Sequence, residues 1–327
     1  MHLLITGTNG FIGCALVRAA HRRGWQVTGV GRQESANPVW DTVDSRPDDY
    51  IRADLTKRFQ LNTHPDAVIH DAGLASPWAH PDSFLAANVG TTVRMMEWAR
   101  AHGKLPFHFI SSSSVFYRNT DQLGLTENSP IPPDDEQINI YSRSKAKAER
   151  LVRRYPGSWT ILRPRAVFGP GDPVLLPRIA DAAQAGRLPL FTRPGRAPVI
   201  CDLTPVDVVA EYVIRAVETG ATGTFNLTNG TPVELQEFLL GLLRRMGLPT
   251  PTRRLPVEVA MSLAKSAEII SARWRDYREP LITRYGVSMF AWSKTFDVSH
   301  TRSVLGEPLL SIEQSIDQLV EWYREKA

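Results

Sequence analysis

A glycine-rich turn joins the first apolar run of the chain to a helical segment. The run is His2–Thr6, and the turn continues it with glycines at positions 7, 10 and 13. In a strand–turn–helix unit, the first glycine permits the tight turn, the second admits a pyrophosphate, and the third packs helix against strand. The anion then lies at the helix N-terminus. This turn predicts a dinucleotide-binding βαβ unit, and its expected cofactor contacts are Gly7, Thr8, Asn9, Gly10, Phe11, Ile12 and Gly13.

Short apolar runs alternate with helical segments through the first half of the chain. Such alternation indicates βαβ units and a parallel sheet covered by helices on both faces. The sequence therefore predicts an α/β fold with a doubly wound parallel sheet of the Rossmann type. Strands are expected at 2–6, 26–30, 67–70, 107–110 and 159–162, and helices at 11–23, 82–102 and 141–155.

Frequent prolines interrupt the apolar runs after Arg163, which is typical of a lobe rather than of sheet strands. A smaller, mixed C-terminal substrate lobe is expected there. We predict an NADP-binding Rossmann domain from residues 1–165 plus about 199–228. The substrate-binding lobe is predicted to comprise residues 166–198 plus 229–327.

The charge pattern argues against a nucleic-acid partner. The chain of 327 residues has 38 Lys and Arg against 34 Asp and Glu, a net charge of +4. The basic residues are interleaved with acids and form no stripe with aromatic side chains. A solvated basic surface and a small-molecule substrate are therefore expected.

No apolar run approaches the roughly 18 residues of a membrane helix. The most apolar stretch, Val257–Ile270, carries three charged residues and indicates an amphipathic helix. Because the first strand begins at His2, no signal peptide is expected. Cys14 and Cys201 lie too far apart for a metal-ligand pair, so no metal site is predicted. Together these features predict a reduced, cytoplasmic protein that does not bind membranes.

The end of the second predicted strand indicates which nicotinamide cofactor is used. An acidic residue about 20 residues after the glycine-rich turn would bind the ribose 2′-hydroxyl of NAD. This chain has Gly31-Arg32 there, and a guanidinium suits a 2′-phosphate. Arg32 therefore predicts NADP, and NAD remains the alternative.

Tyr141 and Lys145 form a candidate acid/base pair. Their i, i+4 spacing places both side chains on one face of a predicted helix. The serine run 111–114 comes after a predicted strand at the carboxyl edge of the sheet, where such folds bind ligands. A tyrosine has a reference pKa near 10, and a neighbouring ammonium together with an oxidised nicotinamide is expected to lower it. A serine hydroxyl can hydrogen-bond the substrate oxygen.

Taken together, these motifs resemble the extended short-chain dehydrogenase/reductase superfamily, also called the NAD-dependent epimerase/dehydratase family. The segments 53–55, 70–73, 88–91 and 163–171 match the family in order, so the resemblance covers nearly the whole chain. It implies a Tyr–Lys–Ser active site, in which Lys145 also holds the nicotinamide ribose, and a homodimer. The further cofactor contacts that it implies are Asp54, Leu55, Ala72, Gly73, Tyr141, Lys145 and Pro164.

The position of the catalytic hydroxyl stays open between Ser112 and Ser113. In the family it lies three or four residues before the tyrosine of a Val-Tyr-Gly motif. This chain has Val115-Phe116-Tyr117 instead. If Phe116 replaces that tyrosine, either serine fits.

Two segments indicate the branch of the family: the residues directly after the serine run, and residues 202–207. The Asp-Glu pair of the sugar-nucleotide dehydratases is absent, and so is the Arg-Asp-aromatic segment of many epimerases. Asp202-x-Thr204-x-Val206-Asp207 resembles the 3β-hydroxysteroid dehydrogenase branch, and other segments resemble 2-alkyl-3-oxoalkanoate reductases as well. The expected activity is NAD(P)-dependent interconversion of a secondary alcohol and a ketone on an apolar steroid-like or β-keto acid-like substrate. The alternatives are an NAD-dependent nucleotide-sugar epimerase and an NADP-sensing regulatory protein on a reductase scaffold.

Overall fold

The computed structural model describes residues 1–34, 45–172 and 175–326. Its strands are β1 (His2–Thr6), β2 (Gln26–Gly31), β3 (Asp49–Arg52), β4 (Ala67–His70), β5 (Phe107–Ile110), β6 (Gln122–Leu125), β7 (Trp159–Pro164), β8 (Val167–Phe168), β9 (Leu190–Thr192), β10 (Ile200–Cys201), β11 (Thr204–Pro205), β12 (Gly223–Leu227), β13 (Val233–Glu234), β14 (Arg254–Pro256) and β15 (Lys294–Phe296).

The α-helices are α1 (Phe11–His21), α2 (Pro81–Phe84), α3 (Thr91–Ala101), α4 (Ile140–Val152), α5 (Leu175–Gln184), α6 (Val206–Glu218), α7 (Leu235–Arg245), α8 (Val257–Trp274), α9 (Arg284–Ala291), α10 (Ser299–Leu305) and α11 (Ile312–Lys326). A π-helix at Leu85–Gly90 joins α2 to α3, and a 3₁₀-helix at Ser113–Phe116 comes after β5.

Seven parallel strands form the central sheet in the order β12-β7-β5-β4-β1-β2-β3. The chain moves outward from β1 in one direction through β2 and β3, and in the other through β4, β5, β7 and β12. Ligands bind doubly wound sheets outside the carboxyl ends of the strands where this direction changes, here between β1 and β4. The predicted fold class is confirmed, and the sheet predicts where a cofactor binds.

Apolar side chains from both faces of the sheet are buried under helices. Leu3 and Ile5 of β1 pack into a core with α1 and α6, whereas Leu4 packs into the opposite core with α3 and α4. Side chains alternate between the two faces of a strand, so a single apolar run supplies both cores. Burial on both faces explains why the strands are almost continuously apolar.

The structure differs from the prediction in two elements near the sheet edge. The helix expected at 82–102 is interrupted by the π-helix, in which Asn88 donates to the Leu74 carbonyl and to Ser144 Oγ. These contacts accompany the wider turn of the π-helix. The spacing of apolar residues in the sequence does not predict such a turn. Strand β3 was not predicted, because Asp49–Arg52 is charged at both ends and forms the sheet edge.

A smaller sheet with the strand order β13-β10-β15-β6 lies in the C-terminal part of the fold. Only β10 and β13 are antiparallel within it. Strand β6 belongs to this sheet although it falls within residues 1–165, and the predicted domain boundaries stay a prediction. In the part of the chain that the structure describes, no helix has the length and apolar character to cross a bilayer.

Candidate active site

The predicted site residues converge on one edge of the central sheet. Each group comes after the carboxyl end of a different strand, and parallel strands bring those ends together. The glycine-rich turn follows β1, Arg32 follows β2, Asp54 and Leu55 follow β3, Ala72 and Gly73 follow β4, Ser112 and Ser113 follow β5, and Pro164 ends β7.

The glycine-rich turn brings α1 close to β1. Gly7 has a φ of +82°, and a Cβ at this position would lie 2.9 Å from the Ala72 nitrogen. A Cβ on Gly13 would lie 2.1 Å from the Gly7 carbonyl oxygen. Both positions therefore require glycine, the first for its backbone conformation as well as for space.

The N-terminus of α1 suits an anionic ligand. Gly10 is the N-cap residue, and it has no side chain to occupy the N–H groups of the first turn at Phe11 and Ile12. Thr8 is 1% exposed, and its hydroxyl has no hydrogen-bond partner among the described residues. A helix N-terminus with this geometry binds phosphate groups, so the turn fits the pyrophosphate of a dinucleotide.

Residues near the expected adenosine end connect the glycine-rich turn to β3. Asn9 donates to the Tyr50 hydroxyl at 3.2 Å, and that hydroxyl donates to the Gln33 carbonyl at 3.2 Å. Arg32 is exposed immediately after β2. Hydrogen bonding from Thr56 lowers the pKa of the Asp54 carboxyl, and the charge of Arg32 adds to that effect. Tyr50 was missed by sequence reasoning because β3 itself was not predicted.

A buried hydrogen-bond chain fixes the main chain after β4. Ala72 donates its N–H to Thr6 Oγ1 at 3.1 Å, and Thr6 Oγ1 lies 2.8 Å from His70 Nδ1. Burial lowers the pKa of His70 to about 3, so this imidazole is neutral. The arrangement holds Ala72 and Gly73 beside the glycine-rich turn.

Tyr141 and Lys145 lie on one face of α4, as their spacing predicts. The Asn139 side chain caps this helix by accepting from the Ser142 N–H at 2.8 Å. This cap places Tyr141 in the first turn, next to the end of β5. The Tyr141 ring packs near Phe84, with 6.3 Å between the ring centroids.

The Lys145 ammonium is buried at the base of the site. It donates to the Ile110 carbonyl at 2.8 Å and lies 5.0 Å from the Phe109 ring centroid. Burial lowers the pKa of Lys145 to about 8, although the charges of Asp71 and Glu149 oppose this shift. The ammonium therefore titrates near pH 8.

The two candidate serines have different surroundings. The Ser113 hydroxyl is 2.9 Å from the Tyr117 hydroxyl in a buried contact. The Ser112 hydroxyl accepts from the Ser114 N–H at 3.2 Å and lies close enough to the Tyr141 phenol to stabilise its ionised form. Ser112 is thus the serine that lies beside Tyr141.

The pKa of Tyr141 differs from the expected direction. Burial raises it, followed by the effect of Tyr285, and the hydrogen bond with Ser112 only partly offsets these contributions. The Lys145 ammonium donates instead to the Ile110 carbonyl. In this structure, Tyr141 therefore holds its proton firmly.

Sequence reasoning missed the importance of Asp71, which lies between α1 and α4. Burial raises the pKa of this carboxyl to about 7, whereas the Lys145 charge and the Gly13 N–H lower it. The residue was visible as part of the matched segment 70–73. Its proximity to Lys145 depends on packing between β4 and α4, which a local pattern does not show.

Three comparisons relate the chain to known proteins. The model of the NAD dependent epimerase/dehydratase family matches residues 3–228. The 2-alkyl-3-oxoalkanoate reductase of Stenotrophomonas maltophilia is 29% identical over an alignment of 333 positions, which covers 98% of each chain. The 3beta-hydroxysteroid-dehydrogenase/decarboxylase isoform 1 of Arabidopsis thaliana is 25% identical over 88% of this chain and 70% of that protein. The solved structure of MoeE5 in complex with UDP-glucuronic acid and NAD covers 100% of both chains with a TM-score of 0.75 and 23% identity. This last likeness concerns the fold alone.

Proposed function

The chain belongs to the NAD-dependent epimerase/dehydratase family, and we propose that it is an NADP-dependent oxidoreductase interconverting a secondary alcohol and a ketone. The resemblance recognised in the sequence is confirmed, since relatives carry the names of both expected enzyme types. One observation carries the proposed activity: Tyr141 and Lys145 share a face of α4, and Ser112 lies beside the Tyr141 phenol. These groups adjoin a turn that fits a dinucleotide pyrophosphate.

The cofactor would be held by the residues along the sheet edge. The N-terminus of α1 would bind the pyrophosphate, Arg32 the 2′-phosphate of NADP, and Lys145 the nicotinamide ribose. The nearby acid Glu34 accepts a hydrogen bond from Arg52 at 3.1 Å. This pairing would compete with a contact between Glu34 and the ribose 2′-hydroxyl of NAD, and it supports the preference for NADP. When bound, the nicotinamide supplies or accepts a hydride.

The side chains of the site would bind the substrate oxygen and transfer its proton. Ser112 would donate a hydrogen bond to the carbonyl oxygen, orienting the ketone. Tyr141 would donate its phenolic proton to that oxygen during reduction and recover a proton when the alcohol is oxidised. The raised pKa of Tyr141 keeps the phenol protonated before reaction, so the phenolate must be stabilised for the proton to leave. Lys145 would stabilise the phenolate that remains.

Two alternative activities differ from the proposal in the chemistry that they require. A nucleotide-sugar epimerase would resemble the solved neighbours, but likeness at 23% identity extends only to the fold. A cofactor-sensing regulator would not need a proton donor beside a serine hydroxyl. Assays with UDP-glucose, UDP-galactose and dTDP-glucose separate the first alternative from the proposal, because an oxidoreductase of this kind leaves these sugars unchanged.

The Tyr141→Phe variant tests the proposed role directly. The change removes one oxygen and keeps the ring, so we expect folding and cofactor binding to survive. Loss of a positioned acid typically lowers the rate 10²- to 10⁴-fold. Nicotinamide absorbance would report reduction of cyclic ketones and 3-oxo acids. Tyr323→Phe on α11 is the matched control, and its activity should equal that of the parent. Near-parent activity of Tyr141→Phe would overturn the proposal.

A further inference from the structure

A buried guanidinium at the sheet edge has no place in the chemistry above. Arg165 is the first residue after β7, and it is 1% exposed. Its Nε and Nη2 atoms lack a hydrogen-bond partner among the residues the structure describes. Buried donors in native proteins are almost always paired, and a guanidinium stays charged at any physiological pH. Unpaired donors on a buried cation point to an anionic ligand.

The groups around Arg165 leave the two nitrogens unsatisfied. The guanidinium carbon lies 5.2 Å from the Tyr117 ring centroid, and Nη1 contacts Met289 Sδ at 4.0 Å. Asp202 is close enough for its charge to act on Arg165. However, the Asp202 carboxylate accepts from the Phe296 N–H at 2.8 Å and from the Thr228 hydroxyl at 3.3 Å.

A second buried cation lies in the same region. Lys294 is 3% exposed, and burial lowers its pKa to about 7, with the charge of Arg165 as a further cause. Asp121 also acts on Lys294, but its carboxylate is paired with Arg193 at 2.8 Å. Arg165 and Lys294 are therefore two buried basic groups close enough to act on each other. An anion bound at Arg165 would reduce this excess of positive charge.

Arg165 also lies near the proposed catalytic groups. The Ser111 N–H donates to the Leu162 carbonyl at 2.7 Å, so the chain segments after β5 and β7 leave the sheet side by side. Neighbouring strands are about 4.8 Å apart. Tyr285 of α9 acts electrostatically on both Tyr141 and Arg165. A small substrate could therefore engage the Ser112–Tyr141 pair and the guanidinium together.

We propose that Arg165 binds a carboxylate of the substrate, so that the enzyme acts on 3-hydroxy and 3-oxo carboxylates in preference to neutral alcohols and ketones. This inference rests on the proposed function. Nε and Nη2 form one edge of the guanidinium, which matches the two oxygens of a carboxylate. In a 3-oxo acid, one carbon separates the reacting carbonyl from the carboxylate. Tyr285 and Met289 of α9 interact with Arg165, so the carboxylate would enter beside α9.

The parent enzyme provides the first test. Oxidation of a 3-hydroxy acid and of its methyl ester would be compared with NADP⁺, since these compounds do not decarboxylate as 3-oxo acids do. We expect kcat/KM for the acid to exceed that for the ester by about 10²-fold or more, because only the acid pairs with the guanidinium. Equal use of acid and ester overturns the role of Arg165 and leaves the proposed oxidoreductase intact. If the enzyme neither oxidises these two compounds with NADP⁺ nor reduces any cyclic ketone with NADPH, the proposed function itself fails.

The Arg165→Met variant provides the second test. We expect it to lose the preference for the acid, through a higher KM for the acid, while its activity on the ester changes by less than about threefold. Arg165→Lys should recover part of the preference because it restores the charge without the paired N–H edge. An equal loss of kcat/KM on the acid and on the ester, together with a lower Tm, would show that Arg165 has a structural role instead. If Arg165→Met does not fold, calorimetric binding of the acid and the ester to the parent with cofactor decides the question.

Discussion

The Lys145 ammonium donates a hydrogen bond of 2.8 Å to the main-chain carbonyl of Ile110, the last residue of β5. This contact joins the helix that carries Tyr141 to the strand end that precedes Ser112. It also holds the ammonium in a buried position, where desolvation lowers its pKa to about 8. The charge state of Lys145 therefore changes within an accessible pH range.

Cofactor affinity should fall as the pH rises through about 8, the folded-state pKa of Lys145. Above that value the ammonium loses its proton, and with it the charge proposed to bind the nicotinamide ribose. Affinity should then decrease by up to about tenfold per pH unit. Titrations of NADPH fluorescence between pH 6 and 9.5 would measure this. Lys145→Met should bind NADPH weakly at every pH. Lys147→Met is the control, because it removes an ammonium that lies 3.5 Å from Asp134, and it should retain the pH profile of the parent. A parent affinity that does not change with pH contradicts the prediction.

Ser112→Ala and Ser113→Ala should differ strongly in activity. Ser112 lies beside Tyr141, whereas Ser113 contacts the Tyr117 hydroxyl. Loss of a donor to the substrate oxygen typically costs 10²- to 10³-fold in rate, so we expect that loss for Ser112→Ala. Ser113→Ala should remain within about threefold of the parent. Steady-state kinetics of the two variants side by side would test this assignment, and the reverse ranking would refute it.

Arg32→Ala should remove most of the preference for NADPH over NADH. A charge-assisted hydrogen bond to phosphate contributes about 1.5–3 kcal/mol, which corresponds to a tenfold or greater loss of NADPH affinity. NADH affinity should hardly change. Isothermal titration calorimetry with both cofactors measures the difference, and Arg100→Ala on α3 serves as an exposed control. Equal affinities of the parent for the two cofactors would exclude the assigned role.

Asp71→Asn should stabilise the protein more at pH 8 than at pH 5. Burial raises the folded-state pKa of this carboxyl from 3.8 to about 7. Between these values the folded protein holds a proton that the unfolded chain has released, so the free energy of unfolding falls as the pH rises across this interval. The variant removes that penalty, a gain of about 1–3 kcal/mol at pH 8. Urea unfolding at both pH values checks this, and an equal effect at the two would contradict it.

Gly13→Ala should both destabilise the fold and prevent cofactor binding. The added Cβ would lie 2.1 Å from the Gly7 carbonyl oxygen, so α1 must move away from β1. We expect a loss of about 3 kcal/mol or more. Gly241→Ala is the matched control, since no atom lies within 4 Å of its added Cβ. In α7 that change should stabilise by up to about 1 kcal/mol. Thermal unfolding and NADPH titration would distinguish the two variants.

Local sequence patterns were sufficient for the fold and for much of the candidate site. Alternating apolar runs and the glycine-rich turn predict the parallel sheet, because hydrophobic periodicity and turn sterics involve residues close along the chain. The i, i+4 spacing of Tyr141 and Lys145 likewise predicts a shared helical face. Strand β3 escaped prediction because an edge strand with charged ends lacks the apolar signal of a buried one.

The sequence by itself determined the fold class, the family and the candidate proton donor, all of which are predicted from patterns of residues close along the chain. Only the tertiary structure decided which serine adjoins Tyr141, because Ser112 and Ser113 differ in direction and not in chemistry. It also showed that burial raises the pKa of Tyr141, since burial depends on the whole assembled site. The proximity of Asp71 to Lys145, and the unpaired edge of Arg165, arise where residues from separate strands and helices meet. A local pattern specifies which groups a segment carries, but the packing of distant segments sets their distances and their exposure to water.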